Sequence, residues 1–117
     1  MKGIRRYGSL RRWADVVVHR GVAHWVEVAE DMSAAIEAQA RQVLAQIDAT
    51  LETLHSDRTR LLQVIVYLAD REDAATFDEI WDAWVPEGHP PVRAVVQAGL
   101  GPGCRLELVV MAAVKDV

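Results

Sequence analysis

Leu106-Glu107-Leu108-Val109-Val110-Met111-Ala112-Ala113-Val114 is apolar on both faces of an extended strand. Leu106, Leu108, Val110 and Ala112 point one way; Val109, Met111 and Ala113 point the other. A strand of that composition is covered twice. Just upstream, across Gly101-Pro102-Gly103, lies a second mostly apolar run, Ala94 to Leu100, opened by Pro90-Pro91-Val92-Arg93. The glycine-rich turn between the runs suggests that they pair. An obligate cation, Arg93, then stands at the edge of one strand and a carboxylate, Glu107, within the other. Charges at such positions are costly unless paired or used.

Working back towards the N-terminus, Asp73 is placed to cap a helix whose stripe is Phe77, Ile80, Trp81 and Trp84, closed by Pro86 and Gly88. Arg60 to Leu68 is dense in Leu, Val, Ile and Tyr with little alternation, as in a strand buried on both sides. Ile36, Ala40, Val43, Ile47, Leu51 and Leu54 recur at helical spacing, with Ser33 as the N-cap and a stop near His55-Ser56-Asp57. Asp15 to His19 and Val22 to Ala29 flank the turn His19-Arg20-Gly21 and read as an opening hairpin. The order is ββαβαββ: an α+β chain, residues 1–117 as one domain, with helices on one side of a sheet. Two helices cover one face of the last strand. Its other face calls for a second copy of the chain.

The chain has 117 residues, half of them apolar and about a quarter charged, which is enough for one core. A formal charge of −4 disfavours nucleic acid and anionic membrane as partners. The basic stretch Lys2, Arg5, Arg6, Arg11, Arg12 reads as a solvated arm. The single cysteine, Cys104, leaves no intrachain disulfide and points to a reducing, cytoplasmic setting, with the thiol a spectator. Neither a signal peptide nor a membrane-spanning run is expected. His19, His24, His55 and His89 lack helical metal-site spacing, so no metal is expected; His19 and His24 are placed to face each other across the hairpin.

QARQVLAQIDATL (39–51), Ser56-Asp57 before the Leu62–Leu68 strand, FDEIWDAW (77–84), and Pro91-Val92-Arg93-Ala94 followed by Leu106-Glu107-Leu108 resemble the RidA (YjgF) family of imine and enamine deaminases. The resemblance covers nearly the whole chain. It implies a chorismate-mutase-like fold, one mixed sheet with two helices on one face, assembled as a homotrimer with clefts between subunits. It implies no cofactor, and as product and substrate a 2-keto acid and a 2-imino or enamine acid of the 2-aminoacrylate type. The family's carboxylate-binding arginine falls on Arg93, its water-positioning glutamate on Glu107, its N-terminal tyrosine on Trp13, and its small residue two positions after the arginine on Val95. The family's Ser-Gly-Gln element on the second strand is replaced by Trp25-Val26-Glu27-Val28.

The chemistry suits those residue types. A guanidinium offers a planar fork that fixes a carboxylate in one orientation. A carboxylate within hydrogen-bond reach of a water acts as general base. Read without the resemblance, Arg93 is a surface ion pair and Glu107 an exposed strand charge. Glu27 is either a replacement pocket group or a solvent-facing residue between Val26 and Val28. Trp13 either walls a pocket or fills a subunit contact. The other functional reading is a non-catalytic trimer that binds small carboxylates as a sensor or accessory protein.

Overall fold

The computed structural model describes residues 3–115. Six strands form one sheet in the order β1-β2-β3-β6-β4-β5, where β1 is Arg5–Tyr7, β2 Val16–His19, β3 Val22–Val28, β4 Leu61–Leu68, β5 Val92–Gln97 and β6 Leu106–Ala113. Helices α1 (Ile36–Thr53) and α2 (Ala74–Trp84) complete the fold. All neighbours are antiparallel except β4 and β5. This is the expected ββαβαββ order with one strand added in front. β1 lies within the basic stretch read as an arm. It is short and charged, so no apolar pattern announces it, yet it pairs with β2 and Tyr7 O accepts the Asp15 N–H at 2.7 Å. Lys2 lies outside the described residues.

The opening hairpin turns through Arg20 and Gly21, both with positive φ (51° and 76°), the geometry of a two-residue loop that matches strand twist. His19 pairs with Val22 and His24 with Val17, so the two histidines do not oppose each other.

β5 does not pair with β6. The segment β4–α2–β5 is a crossover that returns β5 parallel to β4, and residues 98–105 then carry the chain back over β4 to lay β6 between β3 and β4. The Gly-Pro-Gly stretch turns the chain but makes no tight hairpin. Gly103 has φ +77°, and a Cβ there would meet the Met32 carbonyl oxygen at 2.5 Å, so only glycine fits this approach.

Both helices pack on the face carrying Ala23, Trp25, Val64, Val66, Leu68, Leu106, Leu108, Val110 and Ala112. From α1 they are met by Ala40, Val43, Leu44, Ile47 and Leu51, and from α2 by Phe77, Trp81 and Trp84. The opposite face, with Val26, Tyr67, Val92, Val96, Val109 and Met111, is covered by no element among the described residues; Val26 and Val92 are more than half exposed. β4, expected to be buried on both sides, is therefore buried on one within a single chain.

The expected caps are differently employed. Ser33 turns back, its N–H and hydroxyl donating to Asp31 Oδ1, and Ala35 is the N-cap of α1 without a side-chain bond. Asp73 precedes α2 but accepts from Arg105 Nη2 at 2.9 Å instead of capping. The start of α1 is fixed by a buried amide. Gln39 Nε2 donates to the carbonyls of Ala34 (3.0 Å) and Gly103 (2.9 Å), and its Oε1 accepts from the Arg105 N–H (2.9 Å). One side chain thus ties α1 to the turn that feeds β6.

Candidate functional site

β2 leaves β3 at the level of Val16 and Trp25, so the edge of β3 from Val26 to Val28 is unpaired by β2. A cavity of about 720 Å³ opens around that edge. Trp13, Asp15, His24, Trp25, Val26, Glu27, Thr50, Glu107 and Val109 contribute to its wall. The volume lies within the ~300–1,000 Å³ typical of ligand sites.

Strand register decides which side each charge enters from. Glu107 pairs with Val28 on β3 and Tyr67 on β4, on the uncovered face. Glu27 pairs with the buried Leu108 and so points the other way, towards α1. It is neither solvent-facing nor aligned with Val26 and Val28. Its Oε2 accepts from Gln46 Nε2 at 2.9 Å and its Oε1 from Thr50 Oγ1 at 3.1 Å. Gln46 Nε2 also donates to the Val28 carbonyl at 2.7 Å. Trp13 is well exposed and forms one wall. Trp25 is only 5 % exposed, and its buried indole N–H meets no acceptor among the described residues.

Arg93 is elsewhere. Its register partner Val64 faces the helices, so Arg93 lies on the helix side of the edge strand β5. Val95, two residues on, shares that face and packs partly buried against the core. Arg93 Nη1 donates to Asp78 Oδ1 at 2.7 Å, and the guanidinium carbon lies 5.4 Å from the Trp81 ring centroid. Asp78 and Trp81 are three residues apart on one face of α2, an arrangement visible in FDEIWDAW only once Arg93 is known to be their neighbour. Arg93 Nε and Nη2 make no hydrogen bond to the described residues, which leaves the side-on edge of the fork open. Glu107 and Arg93 are thus not brought together within one chain. They stand two strands and three register positions apart, about 14 Å by sheet spacing, on opposite faces. The expectation that their strands pair is corrected by the crossover at β5.

Asp15, His24, Trp25 and Thr50 were not singled out as site residues by sequence reasoning. Asp15 was a strand-initial residue, and Thr50 a helix position whose approach to β3 depends on tertiary packing. His89 is exposed, its Nδ1 3.2 Å from the Glu87 carbonyl oxygen, and does not line the cavity. Burial pushes the Cys104 thiol above its ordinary range, and its sulfur donates to the Leu106 carbonyl, so it is poorly suited as a nucleophile. No group of three or more His, Cys, Asp or Glu side chains able to hold a metal occurs among the described residues, and no helix is long and apolar enough to cross a membrane.

Comparison with known proteins places this architecture. The family model "Endoribonuclease L-PSP" matches residues 3–114. The RutC family protein YoaB of Escherichia coli K12 is 42% identical over 112 residues, which cover 95% of this chain and 98% of the relative. Among solved structures, an uncharacterized protein from Pseudomonas aeruginosa superposes with a TM-score of 0.92 at 39% identity, covering 97% of this chain and 100% of the other. NMB1025 of Neisseria meningitidis, a member of the YjgF protein family, does so with a TM-score of 0.89 at 36% identity, each chain covered to 98%. Matched along nearly its whole length in sequence and in three dimensions, this chain belongs to the YjgF/RutC (Rid) family, the family whose model is called endoribonuclease L-PSP.

Proposed function

We propose that this protein hydrolyses 2-imino and enamine acids to 2-keto acids and ammonia, in clefts that two copies of the chain build together. The observation that carries this reading is the division of the charges. Glu107 opens into a cavity around the free edge of β3, while Arg93 presents a free donor edge on the edge strand β5, two strands from β6 and on the opposite face. Two half-sites that one chain keeps apart, on opposite faces of its sheet, meet when copies associate head to tail. A head-to-tail contact that closes gives a ring, and the homotrimer implied by the resemblance is such a ring. The uncovered apolar face of β3, β6, β4 and β5 is then its interior.

In such a cleft the partner's Arg93 grips the substrate carboxylate through Nε and Nη2 while Asp78 holds Nη1. The imine carbon is thereby held against a water beside Glu107, and holding reactants in place supplies several kcal/mol of a barrier. Glu107 takes a proton from the water as its oxygen bonds to the imine carbon, the C=N π electrons pass to nitrogen, and nitrogen takes that proton from Glu107. The carbinolamine then collapses: Glu107 carries the hydroxyl proton to nitrogen as C=O forms, the C–N bond breaks and ammonia leaves. The sum is imino acid plus water to keto acid plus ammonia. An enamine enters after protonation at its β carbon. Trp13 walls the cavity, and Val95 buttresses the strand that carries Arg93.

The test is keto-acid release from an imino acid generated in place by an amino-acid oxidase. The wild type is expected to accelerate release. Arg93→Ala and Glu107→Gln should each lower that gain by about a hundredfold with the assembly intact by sedimentation. Binding of 2-keto acids without turnover would instead identify a carboxylate-binding accessory protein, and unchanged turnover in both variants overturns the site.

A further inference from the structure

The cavity is larger and more acidic than a two- or three-carbon imino acid requires. Glu107 serves the reacting carbon. Beyond it, around the free edge of β3, lie Glu27 and Asp15. Glu27 is held by two neutral donors, Gln46 Nε2 and Thr50 Oγ1, which fix both carboxylate oxygens without neutralising their charge. No Lys or Arg lines the cavity; His24 is its sole basic-type side chain among the described residues. Trp13 and Trp25 supply aromatic wall, the surface on which an organic cation is best received. Trp25 also carries a buried N–H with no acceptor among the described residues, a further mark of a site completed by something else.

Resting on the deaminase reading above, we infer that Glu27 is a specificity residue and that the preferred substrates are 2-imino acids with a cationic side chain, an ammonium or guanidinium several carbons from the imine. The geometry divides the work. Glu27 and Glu107 leave neighbouring strand positions on opposite faces, and the cavity reaches both around the free edge of β3. A long basic side chain laid around that edge carries the cation to Glu27 while the imine carbon stays beside the water at Glu107. The substrate's carboxylate is taken by the partner's Arg93, so each charge of the substrate has its own holder. A hydrocarbon or carboxylate side chain leaves Glu27 charged and unmet, or repels it.

The experiment compares wild type with Glu27→Gln on imines generated by amino-acid oxidases from arginine, lysine, leucine, methionine and glutamate. In parallel, the affinity of the 2-keto acids of arginine and leucine is measured by calorimetry. The wild type is expected to favour the basic substrates and the basic keto acid by about tenfold. Glu27→Gln should erase the preference, bringing the basic substrates to the level of leucine and methionine, and Glu27→Asp should restore part of it. A basic preference in binding with no turnover of any imine sustains the cation site and defeats the deaminase reading. Turnover with no basic preference in the wild type, or a preference that survives Glu27→Gln, overturns the cation site and leaves the deaminase standing. If Glu27→Gln fails to fold, the wild-type ranking and Glu27→Asp decide the matter.

Discussion

At the scale of single residues, the structure separates what a charge is from what it does. Arg93 was legible as a residue with a purpose, because a guanidinium after Pro-Pro at the start of an apolar strand has to be satisfied. Its satisfier was not legible. Asp78 and Trp81 approach it only because α2 packs beside β5. With Asp78 on Nη1, the remaining donors Nε and Nη2 form the geometry that a lysine cannot reproduce. Arg93→Lys is therefore expected to retain the oligomer and lose roughly tenfold to a hundredfold in kcat/KM, mostly through KM, in steady-state kinetics. Wild-type kinetics in that variant would show that charge alone suffices. Glu27 teaches the converse. Its alternation with Val26 and Val28 was read correctly, and so was its exclusion from their face, but that face proved to be the open one and Glu27 turned to α1. Alternation assigns side chains to two faces without saying which is covered.

At the scale of elements, both helices, the opening hairpin and the last strand were readable from period alone, since period reports on burial. Caps and pairing were not. The start of α1 rests on Gln39, fully buried and bonded on both ends of its amide, and a glutamine in a helical stripe gives no sign that it reaches the loop before β6. Gln39→Leu fills the same space but takes the partner from two carbonyls and one N–H at a part-buried joint. It is expected to cost about 2–4 kcal/mol in chemical denaturation, well beyond a surface substitution, and to lower activity through displacement of β6. A change within 0.5 kcal/mol would mean that these groups find other partners, on the usual scale for neutral substitutions. The β5–β6 pairing failed as an expectation for a related reason. A Gly-Pro-Gly turn favours reversal of the chain but does not choose the strand to which it returns. That choice fell to the crossover and to β6, whose two apolar faces suit the sheet's middle.

At the scale of the molecule, one face of the sheet is packed and the other is bare. That bare face was legible in the last strand, because Val109, Met111 and Ala113 had no helix to cover them. The division of Arg93 from Glu107 was invisible, since it depends on strand order. It makes a sharp test of the proposed ring. Arg93→Ala and Glu107→Gln chains, each inactive alone, should complement when co-expressed. Every mixed trimer regains one intact cleft in three, and random assortment returns about one quarter of wild-type activity per chain. No recovery in purified mixed trimers would place both residues in the service of one chain's own site.

The central place of β6 reaches further, into how the protein comes into being. Until residues 106–113 emerge from the ribosome, β1-β2-β3 and β4-β5 are two separate ribbons with nothing to join them, each showing a raw backbone edge. The joint is made of the most distant pairings in the sheet, Val22 with Ala113 among them. Such pairings close slowly because the loop must be gathered first. The nascent chain thus carries its two unsealed edges until β6 is made, and that strand is the one that locks it.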